Sequence, residues 1–575
     1  MVKLFRYLKP YRQSVILVLV LIFLQSLATL YLPNLMSNIV DLGIIKGNIP
    51  YIIKIGGFML LVTLVGGVFA VSAGFFASKA AAGFGQILRS KVFSHVESFS
   101  LHEFDQFGTS SLIVRTNNDI MQVQQMVNML LRMMVMAPLT AIGGIIMAVY
   151  TDASLSWIIV VVLPILSIAI YVVLGGGIGL FKVMQQKVDQ LNRVLRENLM
   201  GIRIIRSFHR IDNELRRFDE ANRNLTDTSI RVYKRMAALM PMMMFISNFA
   251  TLAIVWFGGI RINDGTLQIG NLMAFIQYVM QIMFSVMMVS MMSFMIPRAE
   301  ASAVRINEVL NTVPEIKDVK QGEIAEQGRG QMEFRNVTFS YPGAEEPAIS
   351  DISFSAKCGE ITAVIGGTGA GKSTLIQLIP RFYDPKSGSI LVDGVDVREM
   401  SQANLRAKIG FVPQQATLFS GTIAENIRYG NQNSSDEDVQ HAAEIAQATE
   451  FISNMKDGFD SIITQGGANI SGGQKQRLSI ARALVKRPEI YIFDDSFSAL
   501  DFKTDAKLRA ALKQEVSNST VLIVAQRVIT VMDADQIIVL DEGRIVGIGH
   551  HKELMDTCKV YREIVSSQLS EGEIA

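Results

Sequence analysis

Six long apolar segments in the first 300 residues restrict the folds that this chain can adopt. They lie at about residues 14–34, 52–78, 131–150, 155–177, 239–260 and 270–296. Each is long enough to cross about 30 Å of hydrocarbon as an α-helix, which rises about 1.5 Å per residue. The pattern predicts an all-α transmembrane domain of six helices.

The connections between these segments differ in charge and therefore predict the topology. The short connections are nearly free of Lys and Arg, whereas the long ones, near 79–130 and 178–238, are polar and the second is rich in Arg. By the positive-inside rule, the long connections and the basic N-terminus face the cytoplasm. A secretory signal is excluded because the first apolar run is too long and opens a series of similar spans. We expect a multi-pass protein of the cell membrane.

Each long connection has about 50 residues with helical spacing, enough for two helical legs that extend roughly 35 Å beyond the bilayer. Short amphipathic pieces around Phe104–Gly108 and Phe208–Asp212 lie at the tips of these legs. We expect both pieces to dock on a soluble domain and transmit its motion.

A phosphate-binding motif of the G-x-x-x-x-G-K-S type follows the apolar part. Its residues are Gly366, Gly367, Thr368, Gly369, Ala370, Gly371, Lys372 and Ser373, and Thr374 comes next. An apolar, β-branched run precedes the motif and a helical pattern follows it, which is the context that it requires. Glycine amides can turn toward phosphates, Lys372 can balance their charge and Ser373 can reach Mg²⁺. The motif predicts a nucleotide site in an α/β domain.

A second apolar run, Ile490–Phe493, predicts a buried strand that delivers Asp494. Many buried strands end in Asp, so this residue alone says little. Together with the phosphate loop, it is a candidate for holding the Mg²⁺ ion.

The run Ser471-Gly472-Gly473-Gln474 is similar to the L-S-G-G-Q signature of the ATP-binding cassette (ABC) family, and the resemblance spans the whole chain. In that family two cassettes pair head to tail, and each signature loop completes the ATP site of the other cassette. Six spans followed by one cassette resemble an exporter half. The resemblance implies that the α/β domain is a P-loop ATP-binding cassette and that the ligands are ATP and Mg²⁺.

Three further residues match family positions one at a time. Tyr341 resembles the aromatic residue that stacks on adenine, and Gln414 resembles the glutamine that touches Mg²⁺ and contacts the membrane domain. Asp501 resembles the loop residue that communicates between the two sites. The implied Mg²⁺ ligands are Ser373, Gln414 and Asp494.

The chain departs from the family at two catalytic positions. Asp495 stands where the family has a glutamate that orients or deprotonates the attacking water, and Gln526 stands in place of its switch histidine. The shorter carboxylate and the neutral amide predict slow hydrolysis at this site. Two copies of the chain would have two impaired sites. We therefore expect a heterodimer with a competent homologous half, as in the bacterial heterodimeric multidrug exporters that the chain resembles.

Methionines are frequent in the predicted spans, and ionisable residues are sparse. A cavity with flexible thioethers would suit varied apolar or amphipathic small molecules. Packing between helices or against lipid is the competing explanation for most of these methionines. Five polar residues are candidates either for lining the cavity or for bonding helices to one another, and these two alternatives stay open: Ser247, Asn248, Gln277, Tyr278 and Gln281.

Other functions remain as alternatives or are excluded. A peptide or lipid exporter is compatible with an apolar cavity, and a nucleotide-gated channel or regulatory subunit is disfavoured by the sparse charge in the spans. A net charge of +2 argues against a nucleic-acid-binding protein. The predicted domains are 1–300 for the membrane, 301–330 for a linker and 331–575 for the cassette.

Overall fold

The computed structural model describes residues 1–292, 295–319 and 330–569. The chain divides into two compact units. The first comprises Met1–Glu97 and Thr109–Thr312, and the second comprises Ser98–Gly108 and Val313–Ala575. Residues 320–329 of the predicted linker lie outside the described residues, and the predicted domain limits stay a prediction.

The first unit is helical throughout its described length. A 3₁₀-helix, Val2–Tyr11, precedes α1, and single π-helical turns at Ile39–Ile44 and Arg115–Asp119 follow α1 and α4. Its α-helices are α1 (Arg12–Asn38), α2 (Ile49–Val96), α4 (Thr109–Val114), α5 (Ile120–Thr151), α6 (Trp157–Met200), α7 (Ile202–Ser207), α8 (Ile211–Ala237), α9 (Leu239–Asn263), α10 (Ile269–Met292) and α11 (Met295–Asn311). The short helix α3 (Leu101–Phe107) belongs to the second unit.

Within the residues that the structure describes, five helical stretches are long and apolar enough to cross a membrane. They are Lys3–Ile44, Ile49–Val96, Thr109–Thr151, Ile211–Asn263 and Ile269–Asn311. The segment predicted at 155–177 lies in α6, and TM-length apolar character is shown there only for the shorter stretch Trp157–Val173 of the described residues. A helical transmembrane domain is confirmed, and the count of six spans stays a prediction.

Polar side chains tie some of these helices together. The Tyr278 hydroxyl on α10 donates to the carbonyl of Leu30 on α1 (3.2 Å), so this buried residue bonds neighbouring helices. Ser247 on α9 bonds the Met280 sulfur (2.8 Å). At the start of α10, a carboxylate oxygen of Asp41 accepts from the Gly270 amide (2.7 Å) and satisfies a donor that has no partner within the helix.

Helix α3 coincides with the first of the two predicted docking pieces. Ser100 and Glu103 form a reciprocal cap at its start, and Glu103 also accepts from the Glu315 amide (3.0 Å). The Tyr383 hydroxyl donates to Asp105 (3.5 Å), and Leu101 packs against the apolar core of the second unit. Docking of this piece is confirmed. The second piece, around Phe208–Asp212, belongs to the first unit, and its docking stays a prediction.

The second unit, apart from α3, is an α/β domain built around two larger sheets. Its strands are β1 (Met332–Phe339), β2 (Ile349–Ala356), β3 (Ile361–Gly366), β4 (Ser387–Val392), β5 (Val395–Asp396), β6 (Ile409–Val412), β7 (Gly421–Thr422), β8 (Ile462–Ile463), β9 (Ile490–Asp494), β10 (Thr520–Val524), β11 (Gln536–Asp541) and β12 (Arg544–Gly549). Its α-helices after α3 are α12 (Lys372–Leu378), α13 (Gln402–Ala407), α14 (Ile423–Arg428), α15 (Asp436–Ile445), α16 (Thr449–Ser453), α17 (Gly472–Leu484), α18 (Phe502–Glu515), α19 (Val528–Val531), α20 (His551–Thr557) and α21 (Lys559–Gln568).

The six-stranded sheet has the order β12-β11-β3-β10-β9-β6. All neighbours are parallel except the edge strand β12, which is antiparallel to β11. Successive residues of β3 are buried in different cores, Ala363 and Ile365 in one and Val364 in the other. Both faces of this strand are therefore covered, as parallel sheets require.

A glycine at the start of α10 provides a test of the helix packing. An alanine Cβ at Gly270 would lie 2.4 Å from the carbonyl oxygen of Ser37, which is backbone and cannot move cheaply. We expect Gly270→Ala to destabilise the protein by about 1–3 kcal/mol and lower its thermal midpoint in detergent. Gly259→Ala on α9 meets no atom within 4 Å and is the matched control, which should be neutral or slightly stabilising. Equal midpoints for the two variants would contradict this account.

Candidate nucleotide site

The phosphate loop joins β3 to α12, as the sequence predicts. Two of its glycines adopt left-handed backbone, Gly369 with φ 84° and Gly371 with φ 93°. A Cβ at Gly371 would also lie 2.8 Å from the carbonyl oxygen of Ala348, and one at Gly366 would lie 2.2 Å from that of Leu540. The loop can take this path only because glycine stands at these positions.

Lys372 carries the positive charge of the loop. Its ammonium donates to the carbonyls of Gly366 (2.8 Å) and Gly367 (2.7 Å). Burial lowers the pKa of Lys372, although the charges of Asp495 and Asp494 act in the opposite direction. A buried ammonium whose hydrogen bonds go to neutral carbonyls fits an incoming phosphate anion, which would stabilise its charged form.

Asp494 ends β9 beside the loop, and its carboxylate lies 3.4 Å from the Ser373 hydroxyl. Burial raises the pKa of Asp494, and the neighbouring Asp495 adds to this effect, while Ser373 opposes it. Mg²⁺ prefers oxygen ligands and usually keeps several waters in proteins. The buried Asp494 carboxylate and the Ser373 hydroxyl, joined by a long hydrogen bond, are two oxygen ligands that fit such an ion.

Asp495 follows in a left-handed conformation (φ 45°), and its amide donates to the carbonyl of Val524 (2.9 Å). Its carboxylate accepts a hydrogen bond from the Gln414 side chain (3.3 Å). The structure therefore places the candidate catalytic carboxylate against the candidate Mg²⁺-binding glutamine.

These residues line one cleft of about 370 Å³. Its lining is Tyr341, Ala348, Thr368, Gly369, Ala370, Gly371, Lys372, Ser373, Thr374, Gln414, Asp494, Asp495, Val524 and Gln526. Gly366 and Gly367 contribute through the carbonyls that hold Lys372. The sequence analysis missed Ala348 and Val524, because a small apolar residue carries no signal of a binding role.

Tyr341 lies beside the phosphate loop, and its hydroxyl oxygen is 3.0 Å from the hydroxyl oxygen of Thr374. Its ring meets Phe339 and Tyr383 edge to face, with centroids 5.0 and 5.5 Å apart. Burial raises the pKa of Tyr383 to about 12. The sequence analysis missed Tyr383, which connects Tyr341 to Asp105 of α3.

The signature residues lie outside this cleft. Ser471 caps α17: its hydroxyl accepts from the Gln474 amide, and the Gln474 side chain accepts from the Ser471 amide (2.9 Å). A Cβ at Gly473 would lie 3.1 Å from the carbonyl oxygen of Ala499, so the start of this helix lies close to the segment that leads to Asp501. Gly472 has open space around it, and its proposed contact with a partner's ATP stays a prediction.

Asp501 caps α18 by accepting from the Thr504 amide (2.9 Å), and the hydrogen bonds from Thr504 hold its pKa below the usual range. On α17, Gln476 donates to the carbonyl of Pro413 (3.3 Å), next to Gln414. This hydrogen bond thus links the signature helix to the residue that precedes Gln414 of the cleft.

Comparison with known proteins shows the family of this chain. Residues 15–286 match the family model of the ABC transporter transmembrane region, and residues 349–498 match the ABC transporter model of the cassette. The chain belongs to the ABC transporter family. It is 41% identical over 98% of its length to an uncharacterized ABC transporter ATP-binding protein of Mycobacterium tuberculosis, covering 97% of that protein.

Relatives with more specific names are more distant from this ABC exporter. A Bacillus subtilis protein provisionally named a multidrug export ATP-binding/permease protein is 31% identical, with 98% of each chain covered. An ATP-dependent lipid A-core flippase of Chromobacterium violaceum is also 31% identical, with 99% of this chain and 97% of the flippase covered. The fold matches a bacterial Atm1-family ABC exporter with ATP bound, with a TM-score of 0.80, 25% identity and coverage of 98% and 99%.

The role of Tyr341 can be tested by separating its ring from its hydroxyl. We expect Tyr341→Ala to weaken ATP binding by at least about 5-fold, because base–aromatic stacking contributes about 1–3 kcal/mol. Tyr341→Phe keeps the ring and loses only the bond to Thr374, so its affinity should stay within about 3-fold of the parent. Binding of a fluorescent ATP analogue to the purified exporter measures both. An equal loss in the two variants would show that the hydroxyl, not the ring, matters.

Proposed function

We propose that this chain is one subunit of a heterodimeric ATP-driven exporter. It would hold ATP at its own poorly hydrolysing site, and its signature loop would complete the competent site of a homologous partner subunit. The observation that carries this proposal is that Asp495 and Gln526 line the same cleft as the phosphate loop. The two departures from the family thus fall on one site.

The first departure shortens the carboxylate by one methylene. Asp495 is nearly buried, and its carboxylate contacts Gln414, so the side chain has little freedom to reach further. A displacement of about 1 Å of a catalytic group can cost on the order of 10²-fold in rate, which corresponds to nearly 3 kcal/mol of barrier. Slow cleavage of ATP follows.

The second departure removes an imidazole. Gln526 is exposed in the cleft and can donate a hydrogen bond through its amide, but it cannot carry a positive charge. The charge that develops on the phosphates during cleavage would therefore be less well stabilised on this side of the cleft.

The signature loop has no corresponding defect. Ser471 and Gln474 form a complete helix cap, and all four signature residues retain the family identity at a partly exposed helix start. An intact signature loop beside an impaired cleft supports an unequal pair of sites. ATP retained at the impaired site would then bias the conformational equilibrium of the complex.

The residues around the phosphate loop support ATP with Mg²⁺ as the ligands. Ser373, Gln414 and Asp494 would hold the ion, which neutralises phosphate charge when it is bound. Lys372 would hold the phosphates, and Tyr341 would carry the adenine. We place the N-terminus and the cassette in the cytoplasm and the spans in the cell membrane.

The cargo is proposed to be amphipathic or apolar small molecules. Several methionines of α5, α9 and α10 expose roughly two fifths of their surface or more, as an adaptable apolar lining requires. These are Met133, Met134, Met240, Met244 and Met280. The relative named for multidrug export supports this class. Lipid transport is the second candidate, because an equally similar relative is named a lipid A-core flippase.

Photo-crosslinking can follow the fate of ATP on this chain alone. The purified complex is labelled in parallel with 8-azido-ATP carrying ³²P at the α or the γ position, and its subunits are separated by electrophoresis. We expect this chain to retain both labels while the complex turns ATP over, because its own cleft binds ATP and cleaves it slowly. Loss of the γ label from this chain at the rate of total turnover, or brisk turnover by a homodimer, would contradict the proposal.

Restoring the two family residues should restore cleavage. We expect Asp495→Glu combined with Gln526→His to lose the γ label at least about 10-fold faster than the parent, with the α label unchanged, because the longer carboxylate can reach the attacking water and the imidazole can contact the phosphate. Total turnover by the complex should change only modestly. Asp457→Glu makes the same chemical change at an exposed residue and serves as the control. A restored chain that keeps its γ label would refute the impaired-site explanation.

A further inference from the structure

The loop that carries Gln526 is held mainly through its backbone. This switch loop, residues 525–528, runs from the end of β10 to the start of α19. At its first residue, the Ala525 amide donates to the carbonyl of Val364 on β3 (3.2 Å). Beyond that point the loop leaves the sheet, and other parts of the chain must fix its path.

The side chain of Gln568, the last residue of α21, supplies two of these contacts. Its amide nitrogen donates to the carbonyl of Gln526 (2.8 Å), and its amide oxygen accepts from the backbone N–H of Val528 (2.8 Å). A primary amide presents a donor and an acceptor side by side, which matches the carbonyl and N–H that flank Arg527. Gln568 thus clamps the switch loop on both sides of one residue.

The clamp is itself well anchored. Tyr561 and Val565 of α21 are fully buried in the core of the cassette, and the Tyr561 hydroxyl lies 2.7 Å from the ring nitrogen Nδ1 of His551. Residues 561, 565 and 568 follow helical spacing and share one face of α21. The helix therefore presents Gln568 to the loop from a fixed position.

A second set of contacts joins the loop to another part of the chain. The Arg527 guanidinium donates to the carbonyl of Ser498 (3.0 Å) and lies 5.6 Å from the centroid of the Phe502 ring. The loop is therefore held between α21 and the segment that leads to Asp501. These contacts hold the backbone of the loop, whereas the side chain of Gln526 lines the cleft. The register of the backbone therefore decides where the side-chain amide of Gln526 lies.

We propose that Gln568 is a positioning residue of the nucleotide site, which sets the register of the switch loop so that the side chain at position 526 faces the phosphates. The C-terminal helix then determines the geometry of ATP cleavage without touching the nucleotide. This inference rests on the proposed function in one respect, namely that cleavage at this cleft becomes measurable when residues 495 and 526 are restored.

The test uses the full-length restored chain, Asp495→Glu with Gln526→His, in its purified complex and labelled with α- or γ-³²P 8-azido-ATP. Adding Gln568→Leu removes both arms of the clamp and keeps an apolar side chain at the end of α21. We expect the maximal rate of γ-label loss to fall at least about 10-fold, because a small displacement of a catalytic group costs much of the rate. The ATP concentration for half-maximal α labelling should stay within about 2-fold.

The matched control is Gln514→Leu, the same change at an exposed glutamine on α18 outside the cleft. It should leave cleavage and labelling unchanged. A general loss of folding would weaken α labelling together with cleavage, whereas loss of positioning affects the rate alone. Cleavage by the Gln568→Leu chain within 2-fold of its restored parent would overturn the inference and leave the proposed function intact.

Hydrogen exchange gives a readout that does not depend on cleavage. In the parent chain, the Val528 N–H is bonded to Gln568 and should be protected, and Gln568→Leu should speed its exchange at least about 10-fold while peptides around Tyr561 keep their protection. If the restored chain does not cleave ATP, the impaired-site proposal is refuted by its own test. Hydrogen exchange then decides whether Gln568 holds the switch loop. Faster exchange at Val528 then supports the clamp, and unchanged exchange overturns it.

Discussion

The parallel pairing of β3, β10 and β9 is the interaction on which the nucleotide site depends. β10 lies between the other two strands, so Gly366, Asp494 and the loop that carries Gln526 all emerge at the carboxyl edge of one sheet. Ligands in open α/β sheets bind at this edge. Residues more than 150 positions apart in the sequence thereby line one cleft, and the amide of Asp495 bonds the carbonyl that ends β10.

Much of the cassette could be predicted because its signals are local. The phosphate loop, the apolar run before it and the apolar run before Asp494 each predict a strand or a helix from a few neighbouring residues, and all appear in the structure. The contacts made by Tyr383, Glu103 and Gln568 could not be predicted. They join distant parts of the chain through one hydroxyl, one carboxylate and one amide, and such side chains are common on any surface.

In the membrane part, too, local patterns could be predicted and contacts between distant residues could not. Long apolar runs predicted helices, whereas the contacts between helices depend on packing that the sequence pattern does not reveal. Among the polar candidates, Tyr278 donates a hydrogen bond to the backbone of α1. The sequence alone left open whether it lines a cavity or bonds a helix, because the answer depends on how two helices lie relative to each other. Exposed methionines leave an adaptable apolar surface, and this property is compatible with both drug-like and lipid cargo.

The placement of α3 has a practical consequence for dissecting the molecule. Although residues 98–108 interrupt the membrane unit in the sequence, they belong to the compact unit of the cassette. A fragment that starts at Val313 would lack this helix, so the amide of Glu315 and the hydroxyl of Tyr383 would lose their partners and apolar core surface beneath Leu101 would be uncovered. The compact unit of the cassette is therefore not a contiguous stretch of chain, and a fragment of it expressed alone would expose this surface to water.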